Sequence, residues 1–182
     1  MTSWEYELYV ASIQRRIVNS IWRIVRDGPA VEDLVRDVIE QVVRKIGRVR
    51  AHPNPQALIL RMAVQRALDF GRSRARRRSA MERYGRFQET RGPDNALAAD
   101  IALREECDAV LGTLHRLPKR EAEALWLHAV EGMSYAEVAT TMGCRPATVR
   151  VLAARGRKRL KGCLLGGTSS NVTEDGGSCE NT

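Results

Sequence analysis

The stretch LPKREAEALWLHAVEGMSYAEVATTMGCRPATVRVLAARGRKRL, residues 117–160, decides how the chain reads. Leu117-Pro118 ends one helix. Residues 121–130 then carry Ala122, Leu125, Trp126 and Ala129 at helical spacing, which predicts one apolar face. Glu131-Gly132-Met133 is a break. Ser134-Tyr135-Ala136-Glu137 is a capping box, in which serine hydroxyl and glutamate carboxylate satisfy two backbone donors that a helix start leaves unpaired. Val138, Ala139 and Met142 predict the inward side of a short helix. Gly143 suits a left-handed turn, and Pro146 suits the first turn of the next helix. Two helices about such a turn make a helix-turn-helix, whose second helix enters the major groove of DNA. On that second helix Val149, Leu152, Ala153, Gly156 and Leu160 point inward. Its outward face centres on Ala147, Val151, Ala154 and Lys158, flanked by Arg150 and Arg155. An ordinary solvent face would be charged throughout. Here small and apolar groups at the centre allow close approach to base edges, while the basic flanks reach phosphates. Val151 suits a thymine methyl, and Arg150 or Arg155 a guanine.

Composition points the same way. The chain has 182 residues, a formal charge of +8 and a pI near 9.8. Of its 30 basic residues only four are lysine. Arginine, with its planar fork of donors, suits phosphate and guanine. The charge is uneven: residues 1–90 carry net +8, 91–116 net −2, 117–163 net +5 and 164–182 net −3. Gly85, Gly92, Pro93 and Asn95 predict a flexible linker over 85–99. The last stretch is nearly devoid of apolar groups and predicts a disordered acidic tail. No apolar run approaches the ~20 residues of a membrane span. Glu5 and Glu7 stand where a signal peptide would be basic, so a cytoplasmic chain is expected. Cys107, Cys144, Cys163 and Cys179 show no CxxC spacing, and His52, His115 and His128 are scattered. Neither a zinc cluster nor a disulfide framework is expected. Cys144 and Cys163 are expected to serve buried packing. No motif of nucleophile and base appears, so the expectation is a protein without catalysis, cofactor or metal.

The first half reads as three helices. Over Trp4 to Arg26, Ile13, Ile17, Ile21, Ile24 and Val25 recur at three- and four-residue spacing. Gly28-Pro29 is expected to stop that helix. Val31, Leu34, Val35, Val38, Ile39, Val42, Val43 and Ile46 form the stripe of a second, with acidic and basic residues opposite. His52-Pro53-Asn54-Pro55 breaks the chain, and Asn54 as N-cap with Pro55 at the first position restarts it. The third helix is expected to run to about Arg78. At about 100° per residue, Ile59, Ala63, Ala67 and Phe70 share a core-facing side. Arg61, Gln65, Arg72 and Arg76 share the opposite one, and an amide amid arginines suits a base edge. The expected fold is all-α, with two small helical domains at 1–84 and 100–163 joined by the linker and followed by the tail 164–182.

Together these stretches resemble a known family. VEDLVRDVIEQVVRKI (31–46), RMAVQRALDFGRSRARRR (61–78) and residues 117–160 are similar, in that order, to three parts of bacterial RNA polymerase sigma factors of the extracytoplasmic-function group. Those parts are the polymerase-binding helix, the helix for the −10 promoter element and the helix-turn-helix for the −35 element. The resemblance implies an alternative sigma factor that directs promoter-specific initiation and melting. It implies core RNA polymerase and promoter DNA as partners, with an anti-sigma protein as a further candidate. Polymerase would be met by Asp33, Leu34, Asp37, Val38 and Glu40. The −10 element would be met by Asn54, Gln56, Arg61, Gln65, Arg66, Arg72 and Arg76, with Gln65 standing where the family usually has asparagine. The −35 element would be met by Arg145, Ala147, Thr148, Arg150, Val151, Ala154, Arg155 and Lys158. Two other readings share part of this pattern: a helix-turn-helix regulator acting without polymerase, and a sigma-like adaptor.

Overall fold

The structure, a computed structural model, describes residues 9–83 and 98–165, and every regular element among them is helical. A short 3-10 turn at Ala11–Ile13 leads into α1, Gln14–Val25. There follow α2 (Gly28–Arg44), α3 (Ile46–Arg50) and α4 (Pro55–Arg83). The second group holds α5 (Ala98–Arg116), α6 (Lys119–Ala129), α7 (Tyr135–Met142) and α8 (Pro146–Leu165). The linker expected at 85–99 and the tail expected at 164–182 fall almost wholly outside the described residues.

Local backbone chemistry sets most of the boundaries. Helix α1 stops at Arg26, whose φ of 54° is left-handed and whose N–H returns to the Trp22 carbonyl. Gly28-Pro29 is therefore not the stop. Asp27 caps the next helix by accepting the Ala30 N–H at 3.2 Å, and Gly28 and Pro29 form the first turn of α2. Proline is tolerated there because a first-turn N–H has no intrahelical partner to lose. Asn54 caps α4 in the same manner, accepting the Ala57 N–H at 3.0 Å. The Ser134–Glu137 capping box is formed in both directions, at 3.2 and 2.8 Å. Gly143 takes φ 64°, as a residue closing α7 in a left-handed turn must.

Helix α4 lies at the centre. It packs on α1, α2 and α3 on one side and on α5, α6 and α7 on the other. Ile59, Ala63 and Ala67 are buried as expected, and so are Leu58, Leu60, Met62, Val64 and Leu68. One apolar cluster runs without a break from Val10 to Ala153, through both helix groups. The consequence for α6 departs from the sequence reading. Its residues Glu121 to Leu127 are all buried, while Ala129 is exposed. Helix α8 covers one side of α6, and α4 covers the side that a lone domain would leave in water. The α6–α8 contact is close because Gly156 has no Cβ; one placed there would lie 3.1 Å from the Glu121 carbonyl oxygen.

The capping box gives a direct test. Backbone and hydroxyl bonds from Ser134 hold the Glu137 carboxyl below its ordinary pKa of 4.5. A depressed carboxylate pKa contributes stability that is present above the unfolded value and lost as pH falls through the folded one. Ser134→Ala is expected to cost about 1 kcal/mol in urea unfolding at neutral pH. The gap from the parent protein should narrow as pH falls below 4.5.

Candidate nucleic-acid interface

The outward face of α8 is free. Arg145, Ala147, Thr148, Arg150, Val151, Ala154, Arg155 and Lys158 are all exposed, whereas Val149, Ala153 and Gly156 are buried. Val151 is 49% exposed, so its apolar side chain is open to contact at the middle of this face. The arginine beside it has a support that sequence reading missed. The Arg150 guanidinium stands 5.5 Å from the centre of the Tyr135 ring. That ring stacks on His128 at 3.9 Å, and His128 Nδ1 lies 2.8 Å from the Met133 carbonyl. A cation over an aromatic face loses freedom before any ligand arrives, which favours a defined contact.

The expected −10 face of α4 has a different neighbour. Arg61 donates to the carboxylate of Glu123 and to the carbonyl of Thr141. Gln65 Nε2 donates to the same Glu123 oxygen at 3.0 Å. Arg72 lies 3.3 Å from the Leu117 carbonyl and 3.3 Å from Asp69. The Arg61 side chain is 16% exposed and Glu123 only 3%. Arg61, Gln65 and Arg72 thus face the second helix group and not solvent, a correction to the expectation of an open cationic face. The reason is packing across the two groups: one apolar cluster continues from α4 into α6, and α6 brings the Glu123 carboxylate to the donors beside it. Arg66 sits outside this contact, paired with Asp37, and Arg76 is exposed. Gln56 is exposed and donates to Ser12 Oγ at 3.0 Å, while the Asn54 side chain is occupied by its cap.

Further polar contacts bridge the two groups. Glu131 Oε1 accepts from Ser20 Oγ at 2.7 Å and from Trp126 Nε1 at 3.1 Å. The Glu131 backbone carbonyl accepts from Arg16 at 2.7 Å. Lys119 pairs with Asp69 at 2.7 Å, and Arg26 with Asp108 at 3.2 Å. His115 packs its ring on Gly71, where any Cβ would overlap it. Its Nε2 is buried without a partner among the described residues. Burial first, and the nearby Arg72 charge second, hold the His115 pKa below its ordinary 6.5.

On α2, Asp33 and Glu40 are exposed and Asp37 is half-buried against Arg66. Arg36 leans on Asp33 at 3.6 Å. Leu34 and Val38 are core residues, so they hold the acidic ridge from beneath and cannot themselves touch a partner. Between α2, α3 and α4 lies a recess of about 230 Å³, lined by Gln41, Lys45, Arg48, Arg61, Met62 and Gln65 among others. Among the described residues no cluster of His, Cys, Asp or Glu could hold a metal, and no helix is long and apolar enough to cross a membrane. Cys107 and Cys144 are half-buried and free. Cys163 is exposed, against the expectation of buried packing, because it lies on the last turns of α8 beyond the α6 contact. Cys179 lies outside the described residues.

Comparison with known proteins matches these two groups in order. Residues 9–77 fit sigma-70 region 2, and residues 107–160 fit sigma-70 region 4. The chain is a sigma-70-family protein of the extracytoplasmic-function group. It is 29% identical over 166 residues to the RNA polymerase sigma-H factor of Pseudomonas aeruginosa, covering 87% of this chain and 86% of that one. It is 26% identical to the extracytoplasmic-function sigma-E factor of Escherichia coli, over 85% of this chain and 84% of the relative. The same fold occurs in the sigma factor RpoE of Bartonella quintana, solved in complex with the anti-sigma factor NepR. That match has a TM-score of 0.55 at 21% identity and covers 88% of this chain and 97% of the other. As a sigma factor the protein directs transcription initiation. In sigma terms, α1 to α4 supply region 2 and α6 to α8 the helix-turn-helix of region 4.

The packing between the two regions carries a pH dependence whose sign is fixed. His115 is held neutral, with a folded pKa below the unfolded one, so the unfolded chain binds more protons below about 6.5. Stability is therefore complete above that value and declines as pH falls from it toward the folded pKa. The thermal midpoint of the parent protein should drop on going from about pH 7.5 to about pH 5.5. His115→Gln should show a smaller drop over the same interval. An equal drop in both would contradict the assignment.

Proposed function

We propose that three surfaces of this sigma factor act in concert. The acidic ridge of Asp33, Asp37 and Glu40 docks on core RNA polymerase. The outward face of α8 reads the −35 element in the major groove. The α4 face of Arg61, Gln65 and Arg72, with Arg66, Arg76, Asn54 and Gln56 around it, meets the −10 element and helps to open it. The observation that carries this reading is the exposed α8 face, apolar at its centre and basic at its flanks, on the same chain as a region 2 unit with an acidic ridge.

The physics of opening is modest. Unstacking a base costs a few kcal/mol, and capture of the extruded base together with phosphate contacts offsets it. The recess beside Gln65 is of a size and polarity to receive a base. Between Arg83 and Ala98 the chain can reach at most about 50 Å when extended, at ~3.3–3.6 Å per residue. Linking two readers in this way raises the effective concentration of the second once the first has bound. The reading assigns the protein no covalent chemistry. It places it in the cytoplasm, with the polymerase and the chromosome, and it includes an anti-sigma protein as a third partner.

Run-off transcription with purified core polymerase tests the proposal. Promoter-specific transcripts should appear only when the chain is added. Tight binding to a duplex operator with no transcripts would instead favour a regulator that works without polymerase. Arg150→Ala is expected to weaken binding to −35 duplex by the 1–3 kcal/mol typical of one arginine–guanine contact, roughly 5- to 150-fold. Binding to core polymerase should not change. Equal loss of both, by footprinting and pull-down, would overturn the role given to α8.

A further inference from the structure

We infer that Tyr135 is a positioning residue for base reading: braced by His128, its ring aims Arg150 at a base edge and so sets the discrimination of α8 at one position of the −35 element. This rests on the reading of the α8 face as a DNA surface. Tyr135 need not touch a base, because it acts through the guanidinium beside it.

The partner of Arg150 sets it apart from the arginines of α4. Arg61 and Arg66 meet carboxylates, and Arg72 a carboxylate and a carbonyl. Arg150 meets a ring 5.5 Å away and has no anionic partner among the described residues. The difference matters chemically. A carboxylate accepts from the paired N–H groups of a guanidinium, which are the groups that guanine O6 and N7 would accept from. A ring attracts the cation through its negative face and leaves those paired groups for another acceptor. Arg150 is therefore restrained and still able to donate.

The ring is itself fixed from two sides. Ser134 starts α7 through the capping box, and Tyr135 is the first residue of that helix. From α6, His128 stacks on the ring at 3.9 Å between centroids and 28° between planes. A carbonyl only accepts, so the 2.8 Å contact of His128 Nδ1 with the Met133 carbonyl places the imidazole proton on Nδ1. The Met133 N–H returns to the Leu127 carbonyl at 3.1 Å, which closes the segment on itself. Backbone, imidazole, phenol and guanidinium thus form a chain from the end of α6 to the exposed flank of α8.

The consequence is specificity more than affinity. An unrestrained arginine reaches phosphates as readily as base edges, and a phosphate contact carries no sequence information. A guanidinium ordered before DNA arrives loses less freedom on binding in that one direction. Arg155, on the opposite flank, is exposed and has no such ring contact among the described residues. It serves as an internal comparison.

The test uses the holoenzyme, formed from the full chain and core polymerase, on a promoter it transcribes whose upstream element has been randomised. Bound duplexes are sequenced, which gives a base preference at each position, and total retention is measured alongside. Arg150→Ala should erase the preference at one position. Tyr135→Leu, which keeps an apolar group at this half-buried site, should lower the preference at that same position by about two- to fivefold, the range of one exposed cation–ring contact. Preferences elsewhere, including any that Arg155→Ala removes, should hold, and total retention should stay near the parent's. Tyr135→Phe should keep the parent pattern, since the ring and not the hydroxyl does the positioning. His128→Ala should shift the same position in the same direction as Tyr135→Leu. With Arg150→Ala already present, Tyr135→Leu should add nothing. A Tyr135→Leu pattern identical to the parent's, or weakened alike at every position, would overturn the positioning role and leave the α8 reading standing. An Arg150→Ala variant with every preference intact would overturn the reading of Arg150 itself, and the inference with it.

Discussion

Helix α4 is shared. Its apolar side completes region 2 against α1 and α2, and its polar side receives α6 and α7 of region 4. The centre of that polar side is one carboxylate, Glu123, almost fully removed from water and met by Arg61 and Gln65. Such a charge is tolerated in an interior only when it is paired and hydrogen-bonded. Moving α6 away would require that Glu123 and Arg61 both be solvated or find other partners, and that the apolar cluster shared by the two groups be opened.

The other two proposed surfaces rest on different packing. The helix-turn-helix owes its shape to local rules: a capping box, a left-handed glycine and a proline in the first turn. The acidic ridge likewise stands on Leu34 and Val38, which belong to the region 2 core and take no part in the contact between regions. Two of the three proposed surfaces are thus exposed, and the third, on α4, lies against α6.

Much of this was legible in the residues, and the physical reason is range. Asn54-Pro55, Ser134 with Glu137, Gly143 and Pro146 act on backbone groups within a few positions, so their consequences follow from sequence alone. The outward face of α8 was legible as well, because its inward side packs within its own domain. Helix α6 was legible only in part. Its periodicity reports the side that meets α8, but Glu123 looks like a solvent residue until α4 is placed against it from some 58 positions away. The stripe of Arg61, Gln65 and Arg72 was read as an open face for nucleic acid, whereas in the structure it meets α6. The free chain supplies an anion of its own, and no local rule could say so. Arg26 stopped α1 ahead of Gly28 for a similarly specific reason: the Asp27 cap claims the glycine and proline for the helix that follows.

The proposal that the α4 face, packed on α6 in this structure, meets the −10 element in the promoter complex can be tested at a single position. A photoreactive phenylalanine analogue replacing Gln65 is irradiated in the free protein and again in the complex with core polymerase and promoter. The account predicts an adduct within the chain, to α6, in the free protein. It predicts an adduct to DNA at the downstream promoter element in the complex. An adduct to α6 in both states would contradict it.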